Sequence, residues 1–397
     1  MQANSSMPSI SLGADFIANP FPMLEMLRNN MPVFRYELPN GKAMWFITRF
    51  EDAIRALRDT RLSSNAYHTL GGGQAGRQSA LGLERSMVFL DDPDHARLRT
   101  LVSKAFTPRF IEELRPRIEE IADALLDKVE PRKGMDLVDD FAFPLPINVI
   151  SEMLGVPPED REQIREGSSA LSDATSTDPR RWQQISNFAA FVRKLIAQKR
   201  SQPADDLISR LVNTNDDDKL TEQELLGMVS LLIFAGHETT SNLIGNGMLA
   251  LLSQPAQIER LKNDPSLIPG AIEELLRYCG PAVSTGPRFA TEDVEIGGQV
   301  IKRGDMVNVV IGSGDRDSSQ FTDPDELDVA RKVERHLAFG HGIHYCLGAP
   351  LARLEGQIAF GALITRFPNL QLDCDPNTLT WRGNSVLRGL ASLPVKW

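Results

Sequence analysis

The sequence predicts a mainly α-helical fold with a minor β region. Three amphipathic stretches carry that expectation: Phe110 to Val129, Pro179 to Lys199 and Thr221 to Leu252 space their apolar residues three and four apart. Against them stand only short strand-like runs such as Ala43-Met-Trp-Phe-Ile-Thr48 and Met306-Val-Asn-Val-Val-Ile311. The chain has 397 residues, 42% apolar and 24% charged, an ordinary globular composition able to bury a sizeable core. No low-complexity linker and no internal repeat interrupts it, so residues 1–397 read as a single domain.

Taken in order, the amino terminus Met1-Gln-Ala-Asn-Ser-Ser-Met-Pro lacks the basic start and apolar centre of a signal peptide. Leu70-Gly-Gly-Gly-Gln-Ala-Gly76 and the acidic turn Asn215-Asp-Asp-Asp218 are the loop-rich windows. The longest strongly apolar stretch, Leu231-Leu-Ile-Phe-Ala235, is far too short to span a bilayer, so no membrane anchor is expected. Only 3 cysteines argue against a disulfide scaffold and for a reducing compartment, hence a cytoplasmic protein. A net charge of -10 makes nucleic acid an unsuitable partner.

The most informative segment runs from Leu337 to Pro350, where Gly340, Gly342 and Gly348 crowd around the thiol of Cys346. Glycines serve where backbone must turn sharply or come close to a partner. The Ala- and Leu-rich stretch from Pro350 to Arg366 reads as a helix, so Cys346 lies just before a helix start. There the dipole and free backbone N–H groups favour a thiolate. A thiolate is the ligand an iron porphyrin needs to cleave dioxygen. Cys279 and Cys374 lack such surroundings and read as structural thiols.

The pattern Phe339-x-x-Gly342-x-x-x-Cys346-x-Gly348 resembles the haem-ligand loop of the cytochrome P450 family at every fixed position. The resemblance extends over nearly the whole chain, from the region of Pro22 to Leu387-Arg-Gly-Leu-Ala-Ser-Leu-Pro394. It implies the cytochrome P450 fold, a triangular prism with haem b (iron protoporphyrin IX) held between a long central helix and the helix of the cysteine ligand. By that likeness Cys346 ligates the iron, while Phe339, Gly348 and Ala235 border the porphyrin. Propionate contacts fall on His344, on the His95 and Arg99 pair of Asp92-Pro-Asp-His-Ala-Arg-Leu-Arg99, and on Arg288. Arginine suits carboxylates through its fixed fork of donors.

A carboxylate beside a hydroxyl in a long apolar helix, Ala235-Gly-His-Glu-Thr-Thr240, is physically expensive and suggests a use. It resembles the acid-alcohol pair of the same family, which implies Thr239 as the hydroxyl at the dioxygen site and Glu238 as a proton relay. Gly236 is expected to loosen the helix there, and His237 is given no catalytic role. Glu274-Leu-Leu-Arg277 places two charges on one helix face and resembles the family's Glu-x-x-Arg motif. With Arg331 it is expected to form a buried structural lock. One departure is Gly314-Asp-Arg-Asp317, where many bacterial relatives read Ala-Asn-Arg-Asp, so local hydrogen bonding should differ.

Within the family the chain looks like the soluble bacterial class I enzymes of the macrolide and polyketide hydroxylase branch. That implies a monooxygenase inserting one oxygen atom of O2 into a bulky apolar molecule, whether macrolide, steroid, terpenoid or fatty-acid-like. Pocket residues expected by analogy are Met87, Val88, Ile233, Ala235, Val283, Ser284 and Val386, with Ser385 beside them. The glycine run near Leu70 either caps that pocket or is a plain surface loop. No flavin or iron–sulfur motif occurs, so electrons must come from NAD(P)H through a ferredoxin or flavodoxin and its reductase. Arg97, Lys104, Arg109 and Arg353 are the expected docking cations. Two other readings are a non-catalytic haem sensor, which needs no proton relay, and a peroxide-driven peroxygenase, whose branch carries Arg-Pro in place of the acid-alcohol pair.

Overall fold

Residues 13–37, 43–65, 81–104, 106–172, 179–213, 219–384 and 386–397 are described by a computed structural model. The windows Leu70–Gly76 and Asn215–Asp218, and Ser385, lie outside the described residues. The longer helices are α1 (Phe21–Asn30), α2 (Phe50–Arg58), α3 (Asp94–Ser103), α4 (Arg115–Val129), α5 (Pro144–Leu154) and α6 (Arg161–Ser172). They continue with α7 (Arg181–Ser201), α8 (Glu222–Leu252), α9 (Pro255–Asn263), α10 (Ile268–Cys279) and α11 (Ala349–Arg366). Strands β1 (Val33–Glu37), β2 (Ala43–Ile47), β3 (Leu62–Ser63), β4 (Arg288–Ala290) and β5 (Met306–Val309) form one sheet in the order β1-β2-β5-β4-β3. A hairpin of β6 (Trp381–Gly383) and β7 (Arg388–Leu390) lies near the carboxy terminus.

The central helix α8 starts where its sequence says it should. The Thr221 hydroxyl accepts from the Glu224 N–H at 3.3 Å, and the Glu224 carboxylate accepts from the Thr221 N–H at 2.8 Å, a reciprocal capping box. Its 31 residues span about 46 Å and are apolar nearly all round, so α8 is buried by α5, α10 and α11. The expected Phe110–Val129 helix is instead two. A short helix Pro108–Glu113 ends at Leu114, and α4 begins with Pro116 in its first turn, because proline lacks the N–H that a continuous helix would need there.

Both expected strands form, as β2 and β5, and they pair in parallel from Met44 opposite Met306 to Ile47 opposite Val309. Each is shorter than its apolar run, since Ile311–Gly314 turns into a short helix. Among the described residues no helix is long and apolar enough to cross a membrane.

The lock assembles as the motif implied. Arg277 donates to the two Glu274 oxygens at 2.7 and 2.8 Å, and Arg331 adds a bond to Glu274 at 3.1 Å. Glu274 and Arg277 have side chains 0% exposed, which separates this pair from a solvated helical i, i+3 pair. Arg277 also donates to the carbonyls of Asp315, Pro324 and Glu326, tying three loop segments to α10. The Asp-for-Asn departure has its own bond: the Asp315 carboxylate accepts the Leu337 N–H at 2.6 Å, at the start of the cysteine loop. Burial pushes the Asp315 carboxyl up to about 7.

Candidate active site

The cysteine loop is shaped by its glycines. Gly340 and Gly342 have φ of 69° and 75°, and a Cβ at Gly342 would stand 2.5 Å from the Leu57 carbonyl oxygen, so only glycine fits. The Cys346 N–H donates to the Phe339 carbonyl at 2.9 Å, closing the loop across its neck. Arg353 stacks over the Phe339 ring and pairs with Glu273 at 2.7 Å, which stiffens the loop from beneath. Although Cys346 presents surface to a cavity of about 300 Å³, protein surrounds its sulfur. Burial pushes the thiol up, against the Gly348 N–H, Arg99 and the Ala349 N–H, which pull it down. The donors at the helix start thus favour the thiolate against an opposing desolvation cost.

At one edge of the same cavity stand His95, Arg99 and His344. The two imidazole rings lie 4.5 Å apart, and the Nε2 atom of each is buried without a hydrogen-bond partner. Asp92 faces the other nitrogen of His95 at 3.3 Å. Arg99 donates to the Tyr345 carbonyl at 2.7 Å, so it holds the ligand loop as well as facing the cavity. Arg288 is not part of the cavity wall; its guanidinium donates to the Leu62 carbonyl at 3.2 Å. Its charge still reaches His344, which burial first and Arg288 second push down to about 3.

Across the cavity from Cys346, α8 contributes Leu232, Ala235, Gly236, Thr239, Thr240 and Leu243. The Thr239 hydroxyl donates to the Ala235 carbonyl at 2.9 Å. Glu238 does not line the cavity and is only 4% exposed. Its nearest polar contacts are Asn242 Nδ2 at 3.5 Å, Arg382 at 4.0 Å and His237 at 4.0 Å. The expected loosening at Gly236 is absent, since α8 is regular through it. A Cβ there would stand 2.8 Å from Ile150, so the glycine lets α5 approach α8 closely.

Of the expected pocket residues, Met87, Val88 and Ala235 line the cavity. Ile233, Val283 and Ser284 are buried elsewhere, and the Val386 carbonyl instead accepts the Val283 N–H at 2.8 Å. Ile233 lies about 100° round the helix from Leu232 and is not among the α8 residues on the cavity, which are Leu231, Leu232, Ala235, Gly236, Thr239, Thr240 and Leu243. The i, i+3, i+4, i+7 spacing from Leu232 through Ala235 and Gly236 to Thr239, with Leu243 four residues further on, is the sequence signal that could have found Leu232 and Leu243. Phe106 and Ile150 complete the apolar wall and carry no comparable signal.

Sequence reasoning also missed Glu355 on α11, which lies against Thr240. Neither carboxyl oxygen has a partner within hydrogen-bond distance, and burial pushes the carboxyl up to about 8, with the Thr240 hydroxyl pulling only partly back. An acid whose folded pKa is raised binds its proton more tightly when folded. Stability is therefore highest below its ordinary value of 4.5 and falls as pH rises toward about 8, by up to about 1.4 kcal/mol per unit. Glu355→Gln should remove this slope, leaving the smaller one from Asp315 between 3.8 and about 7. Urea midpoints of haem-loaded wild type and variant between pH 5 and 8.5 check it, and parallel curves would refute it.

Of the expected docking cations, Arg97 pairs with Glu224, Arg109 with Glu113 and Arg353 with Glu273.

Whatever this cavity holds must accept a sulfur ligand and carry anionic groups to the edge where two imidazoles have donors to spare. Iron protoporphyrin, with two propionates on one side, meets both demands, so fold and site define a haem-thiolate protein. The cytochrome P450 family profile matches residues 175–389. Cytochrome P450 107B1 of Saccharopolyspora erythraea is 46% identical, covering 92% of this chain and 92% of its own length. The 6-deoxyerythronolide B hydroxylase of the same species is 41% identical over 90% of this chain and 91% of its own. In structure, the bacillaene polyketide synthase cytochrome P450 PksS of Bacillus subtilis superposes with a TM-score of 0.89 at 44% identity, covering 97% of this chain and 98% of that one. The chain belongs to the cytochrome P450 family and is a haem b monooxygenase.

Proposed function

We propose that the protein hydroxylates a bulky, neutral, apolar molecule of the macrolide or polyketide kind, with electrons delivered from NAD(P)H by a ferredoxin or flavodoxin. The observation carrying the substrate class is the wall above the sulfur: Met87, Val88, Phe106, Ile150, Leu232 and Leu243 are apolar, and charge is confined to the edge at Arg99 and the two histidines. The PksS relative, named for polyketide biosynthesis, supports the same class. Three cysteines free of disulfides support a cytoplasmic location.

Bound haem supplies the iron at which dioxygen is activated for insertion into a C–H bond. Cys346 would ligate that iron, and His95, Arg99 and His344 would pair the propionates. Selectivity then comes from which carbon the apolar wall holds nearest, not from a dedicated reactive side chain. The Thr239 hydroxyl keeps its proton on the Ala235 carbonyl, so its oxygen offers acceptor lone pairs to the cavity until it turns to donate. Glu238, one residue before it, is the acid that replaces that proton.

Titrating the purified protein with a neutral macrolactone, a steroid and a short-chain carboxylate should give a substrate-type shift of the haem band with the first two only. A response confined to the carboxylate would overturn the substrate class. Thr239→Ala should keep haem content and ligand binding while product per NAD(P)H falls on the order of 10-fold and peroxide accumulates. Undiminished coupling in that variant would remove Thr239 from the proton path.

A further inference from the structure

Glu238 poses a problem that the acid-alcohol pair does not solve: a relay acid must exchange protons with water, yet its side chain is 5% exposed. Toward His237 the way is closed. That imidazole is 0% exposed, its Nδ1 lies 2.7 Å from the Ile233 carbonyl, and the Phe143 ring stands edge-on at 5.4 Å. On the opposite side the carboxylate meets Arg382, whose Nη2 is 4.0 Å from Glu238 Oε1. Arg382 and His237 are the charged or titratable side chains within 4.0 Å of this carboxylate among the described residues.

Arg382 is held half in and half out. Its Nε and Nη2 are buried without hydrogen-bond partners, while the side chain as a whole is 35% exposed. Such a pair of unmet buried donors beside a buried carboxylate is costly unless the two serve each other. The hairpin brings them together because Gly389, opposite Arg382 in the β6–β7 register, has no side chain: a Cβ there would lie 2.0 Å from Asn242 Oδ1. The hairpin thus presses directly on α8 at Asn242, the residue that also donates to Glu238 at 3.5 Å.

We infer that Arg382 is the positioning residue for Glu238, and that the carboxylate exchanges protons with solvent along the Arg382 side of the carboxy-terminal hairpin. The inference rests on the relay reading of Glu238 and Thr239. Arg382 itself gives up no proton, being protonated throughout. Glu238 takes a proton from bulk solvent along the partly exposed Arg382 side chain, passes it toward Thr239 and returns to the carboxylate.

The test uses haem-loaded full-length protein with Arg382→Gln, Arg382→Lys, Glu238→Gln and the Arg382→Gln/Glu238→Gln double variant. Infrared difference spectra against wild type at pH 7 should show an added protonated-carboxyl band in Arg382→Gln, beyond the background of Glu355 and Asp315 that every form shares, and the added band should disappear in the double variant. NADPH oxidation driven by a plant-type ferredoxin and its reductase should slow on the order of 10-fold in Arg382→Gln, with a larger solvent deuterium effect, and recover in Arg382→Lys. Absence of that infrared band overturns the pairing. A slow Glu238→Gln beside an undisturbed Arg382→Gln overturns the role of Arg382 and leaves the relay standing. A Glu238→Gln variant as fast as wild type, with the same isotope effect, shows instead that the relay reading has failed and the inference with it.

Discussion

Cys346→Ser should leave a folded chain that has lost the thiolate band of its reduced, carbon monoxide-bound spectrum and at least about a thousandfold of its monooxygenase activity. The loop itself survives the change. Its closing bond is made by the Cys346 backbone N–H to Phe339, its turns by Gly340 and Gly342, and its clamp by Arg353, none of which uses the sulfur. What fails is the ligand. Burial pushes the thiol up despite the Gly348 and Ala349 N–H groups. A hydroxyl in the same place holds its proton far more tightly. Spectra of the reduced carbon monoxide complex and circular dichroism check both halves of the expectation, and a thiolate band persisting in the serine variant would remove Cys346 as the ligand.

Arg277→Ala should destabilise the fold severely, costing about 3–5 kcal/mol. The loss does not come from an ion pair in the surface sense. Removing the guanidinium leaves the Glu274 carboxylate buried with the partly buried Arg331 and the Asp328 N–H as its remaining partners. It also strips donors from the carbonyls of Asp315, Pro324 and Glu326, which position the segment leading to the cysteine loop. Against a typical total of about 5–15 kcal/mol this is a large fraction, so the variant should accumulate mainly as haem-free or aggregated protein. Arg277→Lys should rescue little, because one ammonium cannot replace a bidentate fork that also serves three carbonyls. Thermal unfolding and haem content measure the effect; a variant within about 1 kcal/mol of wild type would show that the lock is ornamental to stability.

Local rules make much of this protein readable in advance. A capping box at Thr221 and Glu224 sets the start of α8, glycines with positive φ shape the cysteine loop, and Glu274, Arg277 and Arg331 come together as the family resemblance implies. The Phe110–Val129 stretch breaks for an equally local reason, a proline at 116 that periodicity alone overlooks. By contrast, analogy puts Ile233 in the pocket when the cavity stripe runs through Leu232, and it puts Val283, Ser284 and Val386 there although the tertiary fold turns them elsewhere. One residue of error on a helix rotates a side chain about 100°, which no motif match resolves.

The sequence by itself determined the family and the helical frame and singled out Cys346 as the expected sulfur ligand, because each rests on residues near one another in the chain. Only the tertiary structure decided that Glu238 faces Arg382 across more than a hundred residues, that Glu355 is desolvated behind Thr240, and that burial opposes the N–H donors at the Cys346 sulfur. Those properties depend on which distant groups exclude water from a given atom, and exclusion of water is a sum over the whole fold that local pattern does not contain.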